Sequence, residues 1–258
     1  MRARGRLLLS GETTLINVLS GISKADSGSA LLSGRPIQAL PPHRIASLGV
    51  ARTFQNIRLF PAMTCLENVI AGQHLTAKRP LFPRLVCLPA ARREERQSCR
   101  EAREYLARVG IENRAEAPAN SLSYGERRLL EIARALALKP RLLLLDEPVA
   151  GMHKLGRERI DGLLRSLARE GMGILLIEHN MTFVMRLCSK VTVINFGQTI
   201  TTGTPEEVGR HPDVIEAYLG GPERSSPRRT VGLGQASEEA ADGPEAANEA
   251  NGGLDAQG

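Results

Sequence analysis

The chain has 258 residues, 42% of them hydrophobic, enough for one large domain or two small ones around an apolar core. Its net charge of +6 fits an anionic partner or simply a solvated basic surface, but 3% aromatics and no tryptophan argue against a single-stranded nucleic-acid binder. Scattered Cys65, Cys87, Cys99 and Cys188 form no CxxC pair, and no apolar run reaches the ~18 residues of a membrane span or the ~7 of a signal peptide, so a reducing cytoplasm is expected.

In chain order, "TTLINVLSG" predicts a helix closed by Gly21, and "VARTF" a short strand. "TCLENVIAG" predicts a helix. "AARREERQSCREAREYLARVG" predicts a long charged one with Tyr105, Leu106 and Val109 as its apolar stripe. "SYGERRLLEIARALAL" is a further helix, with Ser123 as its N-cap and Pro140 just past its end. "RLLLLDEP" and "MGILLIEH" are continuous apolar runs, the pattern of parallel strands buried on both faces. "KVTVINFGQTITTG" predicts an antiparallel hairpin turning at "NFG". From about Gly220 the chain is rich in Gly, Ala, Pro, Ser and Glu, and too poor in large apolar residues to offset its ordering entropy. The expected fold class is α/β, a parallel sheet with covering helices and a helical insertion. The expected divisions are 1–55, the first part of the core; 56–139, the helical subdomain; 140–220, the second part of the core; and 221–258, a disordered tail.

"RLLLLDEP" carries the strongest chemical signal. Two acids at the carboxyl end of a buried parallel strand point into the crevice where such folds bind ligands. In a nucleotide hydrolase Asp146 would hold Mg²⁺ through a water, and Glu147 would orient and deprotonate the attacking water. The alternative is an ordinary strand end with a turn-favouring Asp and Pro. Upstream, "LSYGERRLLEIARAL" sets Ser123 and Gly125 at the mouth of a helix, where free N–H groups and the helix dipole favour an anion.

Together, these two strings resemble the signature motif and following strand of the ATP-binding-cassette (ABC) ATPases, a P-loop NTPase family. "TFQNIRLFP" resembles the family's Q-loop, which implies that Gln55 lies between the nucleotide's metal and the helical subdomain. "LLIEHNM" resembles its switch region, which implies that His179 lies near the γ-phosphate. The resemblance covers about residues 10–220. It is more specific to the ATP-binding subunits of branched-chain amino acid importers, through "DEPVAGM", "IEHNM", "DVIEAYLGG" and "ARTFQNIRLFPAMTCLENVIAG". One departure is His153, where the family usually carries Asn in the loop that contacts the partner cassette; it is expected to weaken cross-talk between the two sites.

The resemblance also locates a phosphate loop at "LLLSGETTLINVLSG". Gly11, Thr13 and Thr14 match G-x-x-x-x-G-K-[ST], but Glu12 stands at the lysine and Arg6 at the first glycine. The implied ligands are ATP, on Gly11, Thr13, Thr14, Ser123 and Gly125, and Mg²⁺, on Thr13, Gln55 and Asp146, with Glu147, His179 and Gln55 catalytic. The antiparallel subdomain is expected to be partly missing, and the abrupt end of the match at Thr13 suggests a truncated or frameshifted product or a misplaced start.

The family pairs two cassettes head to tail, which implies a homodimer or close paralogue. It also implies membrane permease subunits driven by closure around ATP, a substrate-binding protein reached indirectly, and a place on the inner face of the plasma membrane. Two further functions compete with an active transport ATPase. One is a cassette that does not hydrolyse and supports an intact paralogue. The other is a soluble ABC protein acting on DNA or ribosomes, which the interspersed Glu and the single cassette disfavour; no nucleic acid is expected.

Overall fold

The computed structural model describes residues 12–73, 89–195 and 197–218. Expectations for Gly11, Cys87 and the segment after 218 lie outside them.

At the centre is a three-stranded parallel sheet in the order β3 (Val50–Arg52), β4 (Leu142–Asp146), β5 (Gly173–Ile177). Its register pairs Val50 with Leu142 and Leu142 with Gly173. Side chains alternate across a strand, so successive residues of β4 enter different cores. Leu143 and Leu145 join the main cluster, with Ile132, Leu136, Leu164 and Val184. Leu144 joins a second, with Ile37, Ile45, Val50 and Leu175. This two-sided burial is what the uninterrupted apolar run requires.

Helix α1 (Glu12–Leu19) follows the sequence expectation, with Gly21 at φ 76° after it and Ile16 packed on Ile177. Two elements had no sequence signal: a hairpin of β1 (Leu31–Leu32) with β2 (Arg35–Pro36), and α2 (Pro42–Ser47). Each strand of the hairpin is two residues long, too short for any alternation to register.

Between β3 and β4 the described residues form the helices α3 (Cys65–Gly72), α4 (Pro89–Arg108) and α5 (Tyr124–Leu136). Thr64 and Ser123 each cap a helix through a reciprocal box with Glu67 and Glu126, so two backbone donors are satisfied at each start. On α4, Leu106 is buried and Tyr105 partly so, while Val109 is buried just beyond the helix end. Helices α3 and α5 cross closely at Gly72, where a Cβ would stand 2.4 Å from the Arg134 carbonyl oxygen.

Beyond β4, α6 (Lys154–Arg169) returns the chain to β5 and α7 (Met181–Leu187) leads into the hairpin of β6 (Val191–Asn195) with β7 (Gln198–Gly203). Gly197 takes φ 78° at its turn, as "NFG" predicts. Helices α8 (Pro205–Gly209) and α9 (Pro212–Tyr218) close the described chain, with Val208 and Val214 buried.

Replacing Gly72 with alanine forces α3 and α5 apart. Gly72→Ala is expected to cost about 1–3 kcal/mol, measured as a lower denaturant midpoint with an unchanged slope.

Candidate functional site

Three carboxyl ends of adjacent parallel strands deliver the predicted residues. Gln55 lies three positions after β3, Asp146 ends β4, Glu147 follows it, and His179 lies two positions after β5. Glu147 collects the constellation: its Oε1 is 3.0 Å from His179 Nε2 and 3.5 Å from Gln55 Nε2. The backbone supports that aim. Glu147 has φ 46°, the left-handed region disfavoured for side-chain-bearing residues, and its N–H donates to the Ile177 carbonyl at the end of β5. His179 and Gln55 are exposed and Glu147 half-buried, so the cluster is open to solvent.

Asp146 has a partner that the sequence did not suggest. Its Oδ2 accepts from Arg52 Nη2 at 3.2 Å, and both side chains are buried. Arg52 Nη1 donates to Asn17 Oδ1 at 2.7 Å and Ser20 Oγ at 3.0 Å, so the guanidinium ties α1 to the end of β4. Burial lowers the Arg52 pKa, and the hydrogen bond and charge of Asp146 oppose that. A further carboxyl, Glu178, lies 3% exposed beneath His179 and accepts from Val149 N–H at 2.9 Å. Desolvation is the main cause of its raised pKa, with the nearby charge of Glu147 adding to it. Glu178 thereby anchors the loop after Glu147 to the end of β5.

Ser123 is exposed and Gly125 half-buried. Tyr124, Met152, His153 and Leu155 join them around a groove of about 940 Å³. His153 has a local task there: its Nδ1 accepts from Gly156 N–H at 3.1 Å and caps α6. Thr14 is exposed on α1, while the side chains of Glu12 and Thr13 lie outside the described residues.

The α5 helix reaches the Gln55 loop through two buried charges. Arg128, 0% exposed, donates to the carbonyls of Phe54 at 2.7 Å and Gln55 at 3.0 Å. Glu131 accepts from Phe54 N–H at 3.1 Å and from Arg128 Nη1 at 2.9 Å. Burial raises the Glu131 pKa, opposed by these bonds. Sequence reasoning passed over both residues, although their i,i+3 spacing among Leu129, Leu130 and Ile132 was the available signal.

Mg²⁺ takes hard oxygen donors, often one or two carboxylates plus substrate phosphates and water. Asp146 and the Gln55 amide fit that pattern. Among the described residues no group of three His, Cys, Asp or Glu gathers to hold an ion. No helix among them is long and apolar enough to cross a membrane.

Comparison with known proteins adds the family. The ABC transporter family profile matches residues 10–150, and a profile described as "Branched-chain amino acid ATP-binding cassette transporter" matches residues 198–224. The high-affinity branched-chain amino acid transport ATP-binding protein LivG of Salmonella typhimurium is 42% identical over 211 residues, 81% of this chain and 83% of that protein. BraF of Pseudomonas aeruginosa, named for the same transport, is also 42% identical, over 81% of this chain and 83% of its own. A solved nucleotide-free ATP-binding cassette from an ABC transporter superposes with a TM-score of 0.72 at 29% identity, covering 85% of this chain and 88% of its own. The ADP conformation of another such structure gives 0.71 at 29% identity, with coverages of 85% and 88%. With a parallel sheet that brings Gln55, Glu147 and His179 to one crevice and matches that run through most of its length, the chain belongs to the ABC transporter family of ATP-binding cassettes.

Proposed function

We propose that the chain is the ATP-binding and ATP-hydrolysing subunit of an importer for branched-chain amino acids. The observation that carries the chemistry is the meeting of Gln55 and His179 on one carboxylate oxygen of Glu147. Glu147 acts as general base, taking a proton from the water that attacks the γ-phosphate. His179 orients Glu147 and faces the γ-phosphate, and Gln55 reports occupancy to the helical subdomain. Asp146, Thr13 and Gln55 are the residues that would hold Mg²⁺, which would supply neutralisation of phosphate charge. Arg52 fixes the Asp146 carboxylate, so the ion would share that acid with a guanidinium.

The cargo is inferred from the relatives named for branched-chain amino acid transport. Ser123 and Gly125 serve the nucleotide of a second cassette, whose docking is supported by exposed Tyr124 and Leu155 beside them. Exposed Phe60 and Met63, after Gln55, offer an apolar landing for permease subunits, with a substrate-binding protein beyond. On this reading the chain works in the cytoplasm, against the membrane's inner face. The division into core (1–55, 140–220), helical subdomain (56–139) and tail (221–258) belongs to the same proposal.

Glu12 favours a second role. A glutamate where the family's phosphate loop has lysine would oppose phosphates, and a unit charge at ~4 Å and an effective dielectric near ~20 is worth about 4 kcal/mol. Such a chain binds ATP weakly and supports an intact paralogue through its Ser123 face.

Two measurements test these roles. Glu147→Gln is expected to lower phosphate release by about 10²–10⁴-fold while nucleotide binding persists; undiminished turnover removes Glu147 as the base. Glu12→Lys is expected to tighten a fluorescent ATP analogue by more than about tenfold, since ~1.4 kcal/mol suffices for that. Equal affinities would remove Glu12 from the phosphate site.

A further inference from the structure

Arg128 and Glu131 form a fully buried ion pair, yet the groups they hold are not core groups. They grip both polar groups of the Phe54 peptide and the carbonyl of Gln55, although the Gln55 side chain itself is exposed. Burying two charges carries a large desolvation penalty, and apolar replacements of similar size often hold a fold equally well. A pair kept in this position therefore has a geometric use.

A further contact of the nitrogen that holds the Gln55 carbonyl points to that use. Arg128 Nη2 also bonds Tyr124 Oη at 3.2 Å, and its guanidinium carbon lies 5.9 Å from the Tyr124 ring centroid. Tyr124 stands between Ser123 and Gly125, in the turn that faces outward. One side chain thus touches both the turn proposed to serve a second cassette and the backbone that carries Gln55 toward Glu147. A planar guanidinium with several fixed donors can hold these acceptors at once, which an ammonium cannot.

We propose that Arg128 and Glu131 are positioning residues for Gln55, making displacement of the Tyr124 turn and displacement of the Gln55 loop a single motion. Docking of a second copy at the turn then sets the distance between Gln55 and Glu147. The proposal rests on the assignment of Gln55 to the nucleotide site, but its structural half can be read without nucleotide.

Amide hydrogen exchange on the full chain tests it, with thermal melting as the folding control. The double variant Arg128→Met, Glu131→Leu removes both charges and avoids a lone buried one. It is expected to keep residues 129–136 protected while exchange at Phe54 rises by about tenfold or more, because that N–H loses its acceptor. Arg128→Lys, which keeps the charge but not the fork, is the second variant should the double one not fold, and is expected to speed exchange across residues 54–56 in the same direction. In the hydrolysis assay either variant is expected to lower kcat by about tenfold or more with nucleotide KM unchanged, the mark of misplacement rather than lost binding. A folded variant that protects Phe54 like the parent, or that turns over normally beside an active parent, overturns the proposal. A parent that does not hydrolyse ATP counts against the proposed function alone, and exchange at Phe54 then decides.

Discussion

A strand bonded on both edges and covered on both faces has no place for a charge except its end. That constraint on β4 arranges the rest of the molecule. Leu143, Leu144 and Leu145 are each 0% exposed, so the first carboxylates the chain can carry are Asp146 and Glu147, at the rim of the sheet. On one side β5 stops at the same level, its Ile177 paired with Asp146, and on the other β3 ends two residues earlier, its Arg52 paired with Leu144. Gln55 and His179 then enter from the two flanking strands, one on each side of Glu147. The crevice follows from where the apolar cores end.

Around that rim the protein uses buried charge sparingly, to tie a helix or a loop to the sheet's edge. Arg52 joins α1 to Asp146, Glu178 holds Val149, and Arg128 with Glu131 holds Phe54 and Gln55. Each charge lies in a low-dielectric setting where losing one partner is expensive, about 3–5 kcal/mol for a broken buried pair. The loops around the crevice are therefore held by a few strong contacts, a way to stiffen segments that have little apolar area of their own. The surface pairs differ in kind: Arg103–Glu116 and Lys139–Glu101 have exposed cations and contribute little.

Much of this was legible because its signals are local. The β4 and β5 runs announce two-sided burial, Ser123 announces a helix start, and Gly197 the last hairpin turn. Asp146 and Glu147 stood out as acids ending an apolar run, whereas Gln55 and His179 were singled out only because their strings resemble a family's. What stayed hidden depends on partners far along the chain. Arg128 and Glu131 meet their loop 74 and 77 residues away, and in sequence two charges on a helix look like its wet face. Arg52 meets Asp146 at a separation of 94, so nothing near "VAR" foretells an ion pair. Two-residue β1 and β2 were missed because period-2 alternation needs more length than they have.

Glu147 holds one more consequence, in its backbone. A left-handed φ at a residue with a side chain costs about 1 kcal/mol, which glycine, or in part asparagine, would relieve. Those residues would also remove the carboxylate that His179 and Gln55 share. At this one position backbone comfort and the shared carboxylate therefore exclude each other, and a sequence chosen for durability alone would give up the second for the first.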